Sequence, residues 1–175
     1  MIPPEGAMSE DVKTVTERAP ASERPVRVTV QGLEKTYRAG AEDVRALGGL
    51  DLTVRDREFF CLLGPSGCGK STFLRVLSGL LEKDAGRIEV TEPESNRPTT
   101  SMVFQEKGIF PWKTVIENVA FGLKMRDVPT SRRREVAQRY ITKVNLEGFE
   151  DAYPHQLSGG MKQRVDIARA FANDP

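Results

Sequence analysis

The chain has 175 residues, 38% hydrophobic and 29% charged, with a formal net charge of +1. That length and balance suit one globular domain with a real core, and so small a net charge provides no global field for nucleic acid or an anionic membrane surface. No apolar stretch reaches the roughly 18–20 residues of a membrane helix, and the two cysteines, Cys61 and Cys68, form no CxxC pair, which points to reduced thiols in a cytosolic setting.

Residues 1–25 are acidic-rich and dotted with proline and lack the apolar core of a signal peptide, so a disordered tail is expected. From Val26 the apolar residues alternate through Val28 and Val30, the period of a half-buried strand. The polar run from Arg38 to Leu47 predicts a turn, Leu50, Leu52 and Val54 a second strand, and Arg55 to Glu58 the turn after it. Phe59 to Gly64 is a continuous apolar run, as in a central parallel strand covered on both faces.

A Gly-rich loop follows, and then Phe73, Leu74, Leu77, Leu80 and Leu81 at the spacing of one helical face. Gly86–Val90 and Ser101–Gln105 read as short strands, with a polar loop between them. Thr114 and Glu117 match a capping box, so a helix begins there, with Ile116, Val119, Ala120 and Leu123 as its apolar face. Pro129 separates it from a second helix near Ser131–Val144, and Leu157–Gly160 opens a third.

The loop Gly64-Pro65-Ser66-Gly67-Cys68-Gly69-Lys70-Ser71 fits G-x-x-x-x-G-K-[ST]. Its glycines permit backbone shapes that turn successive N–H groups inward on an anion, and the helix behind adds the positive end of its dipole. Lys70 offers a point charge to the β- and γ-phosphates, Ser71 a hydroxyl to Mg²⁺, and Thr72 a hydroxyl to the α-phosphate. Such a loop alone says only "nucleotide".

The second constellation is Leu157-Ser158-Gly159-Gly160-Met161-Lys162-Gln163-Arg164. Ser158 is placed to cap a helix, and Gly159 and Gly160 let a ligand approach bare backbone. This is a second anion site without a lysine of its own among those capping residues, suited to the γ-phosphate of a nucleotide held elsewhere.

With these motifs in this order the chain resembles the ATP-binding cassette transport ATPases: the Gly64–Thr72 loop as Walker A, Ser101–Gln105 as the Q-loop strand, and Leu157–Arg164 as the signature. The resemblance covers residues 26–175 and implies an α/β P-loop NTPase fold: a β-rich N-terminal layer, a RecA-like core, and a helical subdomain over about residues 106–160. It implies ATP and Mg²⁺ as cofactors, with the nucleotide bound by Gly64, Pro65, Ser66, Gly67, Cys68, Gly69, Lys70, Ser71 and Thr72. Two cassettes pair head to tail, so Ser158, Gly159 and Gly160 serve the partner's nucleotide. Gln105 stands near Mg²⁺ and the attacking water in a catalytic role, with Ser71 as the other metal contact, and Tyr37 stacks on adenine; an ordinary edge-strand tyrosine is the alternative.

Val103–Lys124 and Ala152–Val165 are similar to the ATPases of nitrate, sulfonate and taurine importers. The implied partners are a second cassette subunit, transmembrane permease subunits and, indirectly, a periplasmic or extracellular solute-binding protein, with no nucleic acid. The implied place is the cytoplasmic face of the membrane. Trp112 after the Q-loop reads either as an interface anchor or as a residue buried under the helical block. His155, the one histidine, reads as a capping or packing residue, and Arg132–Arg134 as a solvated helix start.

The family's Walker B strand, with its Asp-Glu pair, is expected just beyond Pro175, with the switch histidine after it. The expectation is therefore a C-terminally incomplete cassette, unstable in isolation and poor at hydrolysis. The competing readings are a nucleotide-binding module without turnover and a non-transport cassette ATPase.

Overall fold

In a computed structural model the described residues are 24–39, 42–91, 98–105 and 108–173; the expected tail, but for its last two residues, and most of the polar loop before the Q-loop strand lie outside them. Strand β1 (Val26–Ala39) pairs antiparallel with β2 (Glu42–Arg55) and with β3 (Ala85–Val90), giving a three-stranded sheet in the order β2-β1-β3. The stretch expected to turn after Tyr37 is instead the far end of a long hairpin. Tyr37 pairs with Val44 and Arg38 with Asp43, so the polar side chains there are the exposed residues of strands. The turn after β2 forms as expected, with Arg57 at φ 54°.

Helix α1 (Lys70–Leu77) covers this sheet, and Val30, Leu33, Leu47, Phe73 and Val76 form a buried core between them. The helix is shorter than its apolar pattern. Gly79 at φ 72° ends it, with Gly79 N–H donating to Val76 O (3.1 Å) and Leu80 N–H to Arg75 O (2.9 Å), the paired bonds of a Schellman cap. The buried face therefore runs through Phe73 and Val76, and Leu74 and Leu80 stay exposed.

Phe59–Gly64 and Ser101–Gln105 depart from expectation. Neither forms a strand among the described residues. A strand needs a ladder partner, and the two runs pair with none of β1–β3. Several of their apolar side chains meet solvent, Phe59 and Leu63 each 92% exposed and Cys61 exposed with a free thiol, while Leu62 packs against the sheet core.

The second core is helical. Helices α2 (Val115–Val119), α3 (Phe121–Met125), α4 (Thr130–Lys143) and α5 (Gly159–Ala172) pack around Ile141, Leu146, Leu157, Val165 and Ala168, all buried. The capping box is present in both directions: Glu117 N–H donates to Thr114 Oγ1 (3.4 Å), and Thr114 N–H to Glu117 Oε2 (2.9 Å). The expected single helix from Thr114 is broken at Ala120 into α2 and α3, while Ile116, Val119 and Leu123 still point inward.

Candidate functional site

The loop between the end of β2 and α1 winds through Gly67 (φ 84°) and Gly69 (φ 87°), the left-handed region that a side chain disfavours. At Gly69 a Cβ would also overlap the Ala46 carbonyl of β2. Gly69 is the N-cap of α1, and the first turn carries no acidic residue. The unpaired N–H groups of that turn and the positive end of the helix dipole thus remain available to an anion.

Lys70 is folded onto the loop. Its Nζ donates to Gly64 O and Pro65 O, each at 2.8 Å, and lies 3.7 Å from Cys68 Sγ. Two carbonyls are modest partners for an ammonium, and an anion in the loop competes for it directly. Cys68 meets the space over Gly64, where a Cβ would come within 2.6 Å of its sulfur.

A cleft of about 480 Å³ lies over this loop, lined by Ser66, Gly67, Gly69, Lys70, Ser71 and Thr72 together with Tyr37, Val44 and Ala46 of the hairpin and Gln105. Tyr37 Oη lies 3.4 Å from Thr72 Oγ1. The distant Tyr37 and Gln105 are both brought to the cleft over the loop; no Asp or Glu lines it among the described residues. The hydroxyls of Ser71 and Thr72 and the carboxamide of Gln105 are neutral oxygen donors of the kind Mg²⁺ accepts beside phosphate oxygens.

Ser158, Gly159 and Gly160 are not gathered to that cleft. Ser158 caps α5 by accepting from Met161 N–H (3.3 Å), and a Cβ at either of the two following glycines would meet open space, with no other element within 4 Å among the described residues. Gln105 also lines a second cleft of about 360 Å³, shared with Gly108, Gly159, Lys162 and Asp166. It therefore stands between the phosphate loop and the head of α5.

Trp112 is 70% exposed, which decides between its two readings against burial under the helices. His155 is exposed, its ring stacked on Tyr153 at 5.8 Å. Arg132 pairs with Glu135 (2.6 Å) and Arg133 with the Thr130 hydroxyl (2.7 Å), a helix face tied to itself.

Two buried polar residues of the helical block belong to none of the sequence motifs. Asn118 is fully buried and its side chain binds the backbone of Phe110, Lys113 and Thr114. Asp166 is buried in α5 and pairs with Arg169 (2.6 Å). Neither is marked by motif or spacing in the sequence; their burial is what singles them out.

The profile of the family described as ABC transporter matches residues 47–175. An uncharacterized ABC transporter ATP-binding protein of Methanocaldococcus jannaschii, MJ0412, is 46% identical over 86% of this chain and 57% of its own length. The aliphatic sulfonates import ATP-binding protein SsuB 3 of Paraburkholderia xenovorans is 46% identical over 97% of the chain and 63% of its own. The spermidine/putrescine import ATP-binding protein PotA of Thermobifida fusca is 40% identical over 93% and 46%. Among solved structures, the dimeric post-hydrolysis state of the ATP-binding cassette MJ0796 bound to ADP and Pi superposes with a TM-score of 0.73 at 33% identity, covering 85% of this chain and 70% of that one. The chain thus spans roughly half the length of the curated relatives it matches.

Proposed function

The chain belongs to the ATP-binding cassette transporter family, and from that premise we propose that it is the ATP-binding subunit of an importer, driving solute uptake by closing on a second cassette around ATP. The observation that carries this reading is the division of the site. The phosphate loop, Tyr37 and Gln105 share one cleft, while Ser158, Gly159 and Gly160 stand apart from it at the head of α5, Gly159 lining a second cleft with Gln105.

In this reading the loop N–H groups and Lys70 take the phosphates, with Lys70 leaving the Gly64 and Pro65 carbonyls as they bind. Tyr37 offers its ring to adenine. Ser71 and Gln105 would hold Mg²⁺, which when bound neutralises charge between the β- and γ-phosphates. Gln105 orients the attacking water, and the partner's Ser-Gly-Gly completes the γ-phosphate site. The partners are a second copy of the cassette and permease subunits that bring in a solute-binding protein, which places the chain on the inner face of the membrane; no described helix is long and apolar enough to cross one. Residues 106–160 form approximately the helical subdomain of a domain spanning 26–175, after a tail over 1–25. A sulfonate-like solute is the reading favoured by the SsuB likeness over nearly the whole chain.

A second reading is a nucleotide-binding module without turnover, and what favours it is that no carboxylate lines the cleft among the described residues.

Complementation tests the composite site. Lys70→Ala disables one half of each site and Gly160→Glu the other. Neither variant alone dimerises with Mg-ATP, whereas a mixture assembles one intact site per heterodimer. Sedimentation showing that the mixture behaves like the separate variants would refute the head-to-tail reading, and wild-type protein that fails to bind Mg-ATP in calorimetry would refute the function.

A further inference from the structure

Basic residues from separate elements of the helical block converge on a cleft of about 260 Å³. Lys113 precedes α2, Lys124 lies in the last turn of α3, and Arg133 and Arg134 lie near the start of α4. Glu117 is the one carboxylate lining the cleft among the described residues, and its Oε2 already accepts from Thr114 N–H (2.9 Å). The apolar lining is Ile116, Ala120 and Phe121. This cleft shares no lining residue with the two clefts that Gln105 lines.

The fold does not use up these charges. Arg133 Nη2 donates to the neutral Thr130 hydroxyl (2.7 Å), and Lys113 Nζ lies 5.7 Å over the Phe121 ring. Neither Lys124 nor Arg134 forms an ion pair among the described residues. Arg134 does lie in the field of Glu150, whose carboxylate accepts from Gln138 Nε2 (2.7 Å). Arg132 provides the contrast: it pairs with Glu135 (2.6 Å) and does not line the cleft. Like charges gathered round a hollow with low-dielectric walls focus their field on it, and an anion bound there relieves their repulsion.

We infer that this cleft binds a small amphiphilic anion, with a sulfonate- or phosphate-class head for Lys113, Lys124, Arg133 and Arg134 and a short alkyl body for Ile116, Ala120 and Phe121. Guanidinium groups match the oxygens of such a head two at a time, and the lysines add point charges. Apolar lining beside convergent polar groups is the make-up of a small-molecule site, and the volume holds a head and a few methylenes. The inference does not rest on the nucleotide role, since the two sites have no residue in common.

Calorimetry of the full-length protein with hexanesulfonate tests it, beside Lys70→Ala to keep the phosphate loop out of the reading. One site per chain is expected, with equal affinity in both proteins. Methanesulfonate, with the same head and almost no body, binds about tenfold or more weakly, and hexyltrimethylammonium does not bind. Lys124→Gln and Arg134→Gln, both at exposed residues, each weaken hexanesulfonate by about fivefold, the worth of one exposed charge-assisted contact. Arg132→Gln stays within about twofold. Absence of binding overturns the inference, as does an equal loss in Arg132→Gln, which would mean diffuse charge. Binding lost in Lys70→Ala would move the anion to the phosphate loop and overturn it too. So would binding to phosphatidylglycerol vesicles or to an acidic peptide with none to free hexanesulfonate.

Discussion

The hydroxyl of Tyr37 lies 3.4 Å from the hydroxyl of Thr72, joining the β1–β2 hairpin to the helix that follows the phosphate loop. At that length the bond is weak, and its use is to set the ring at the edge of the cleft. In the proposed reading it is the ring, rather than the hydroxyl, that a purine would meet. Tyr37→Phe is expected to keep Mg-ATP affinity within about twofold. Tyr37→Ala is expected to weaken it by about tenfold, in line with roughly 1–3 kcal/mol for a base stacked on an aromatic ring. Titration with a fluorescent ATP analogue separates the two; equal loss in both would assign the effect to the hydroxyl.

Gly69 has two independent reasons to be glycine: its φ of 87° and the Ala46 carbonyl where a Cβ would go. Gly67, at φ 84°, has only the first, because its Cβ would meet open space. Gly69→Ala should therefore distort the loop against β2 and lower Mg-ATP affinity more than tenfold. Gly67→Ala should cost less, near the roughly 1–2 kcal/mol of a residue forced left-handed. Binding isotherms of the two variants give the order directly.

How much of this was legible follows the range of the interactions. Features written in a few consecutive residues are read without a fold: the phosphate-loop glycines, the Thr114–Glu117 box, the Ser158 cap. Features that depend on a partner far along the chain are not. Phe59–Gly64 has the composition of a central strand, but composition cannot supply the neighbour that makes a ladder, and the run lies open. The polar side chains beyond Tyr37 predict a turn, while the strand character there comes from pairing with β2. Within the site, the nearness of Tyr37 and Gln105 to the loop came by family resemblance, not from spacing, and Asp166 and Asn118 emerged only from packing.

Asp84 stores an acid dependence. Its carboxylate accepts from Lys35 Nζ at 2.7 Å and from Thr36 N–H at 2.6 Å, locking the approach to β3 onto β1. The Lys35 hydrogen bond first, then that of Thr36, holds its carboxyl below the ordinary aspartate range. A depressed folded-state value means the contribution is complete above the unfolded value, near pH 3.9, and is lost as pH falls through the lower folded value. Asp84→Asn should therefore lower stability at neutral pH and flatten the acid limb below about pH 4. Chemical denaturation at several pH values tests this; parallel curves for the two proteins would refute it.

The two cores differ in what a deletion costs. Ile141 is fully buried at the meeting of α2, α4 and α5, so Ile141→Ala leaves a cavity among well-packed helices and should cost about 2–5 kcal/mol. Thr114→Ala removes the capping box at the head of α2 and should cost about 1 kcal/mol. Leu63 is 92% exposed among the described residues, so in the 175-residue chain Leu63→Lys should leave the unfolding midpoint nearly unchanged. Urea titration ranks the three. A loss at Leu63 comparable to that at Ile141 would mean that the Phe59–Gly64 run is covered in solution, and the open edge seen beside the phosphate loop would have to be redrawn as a buried one.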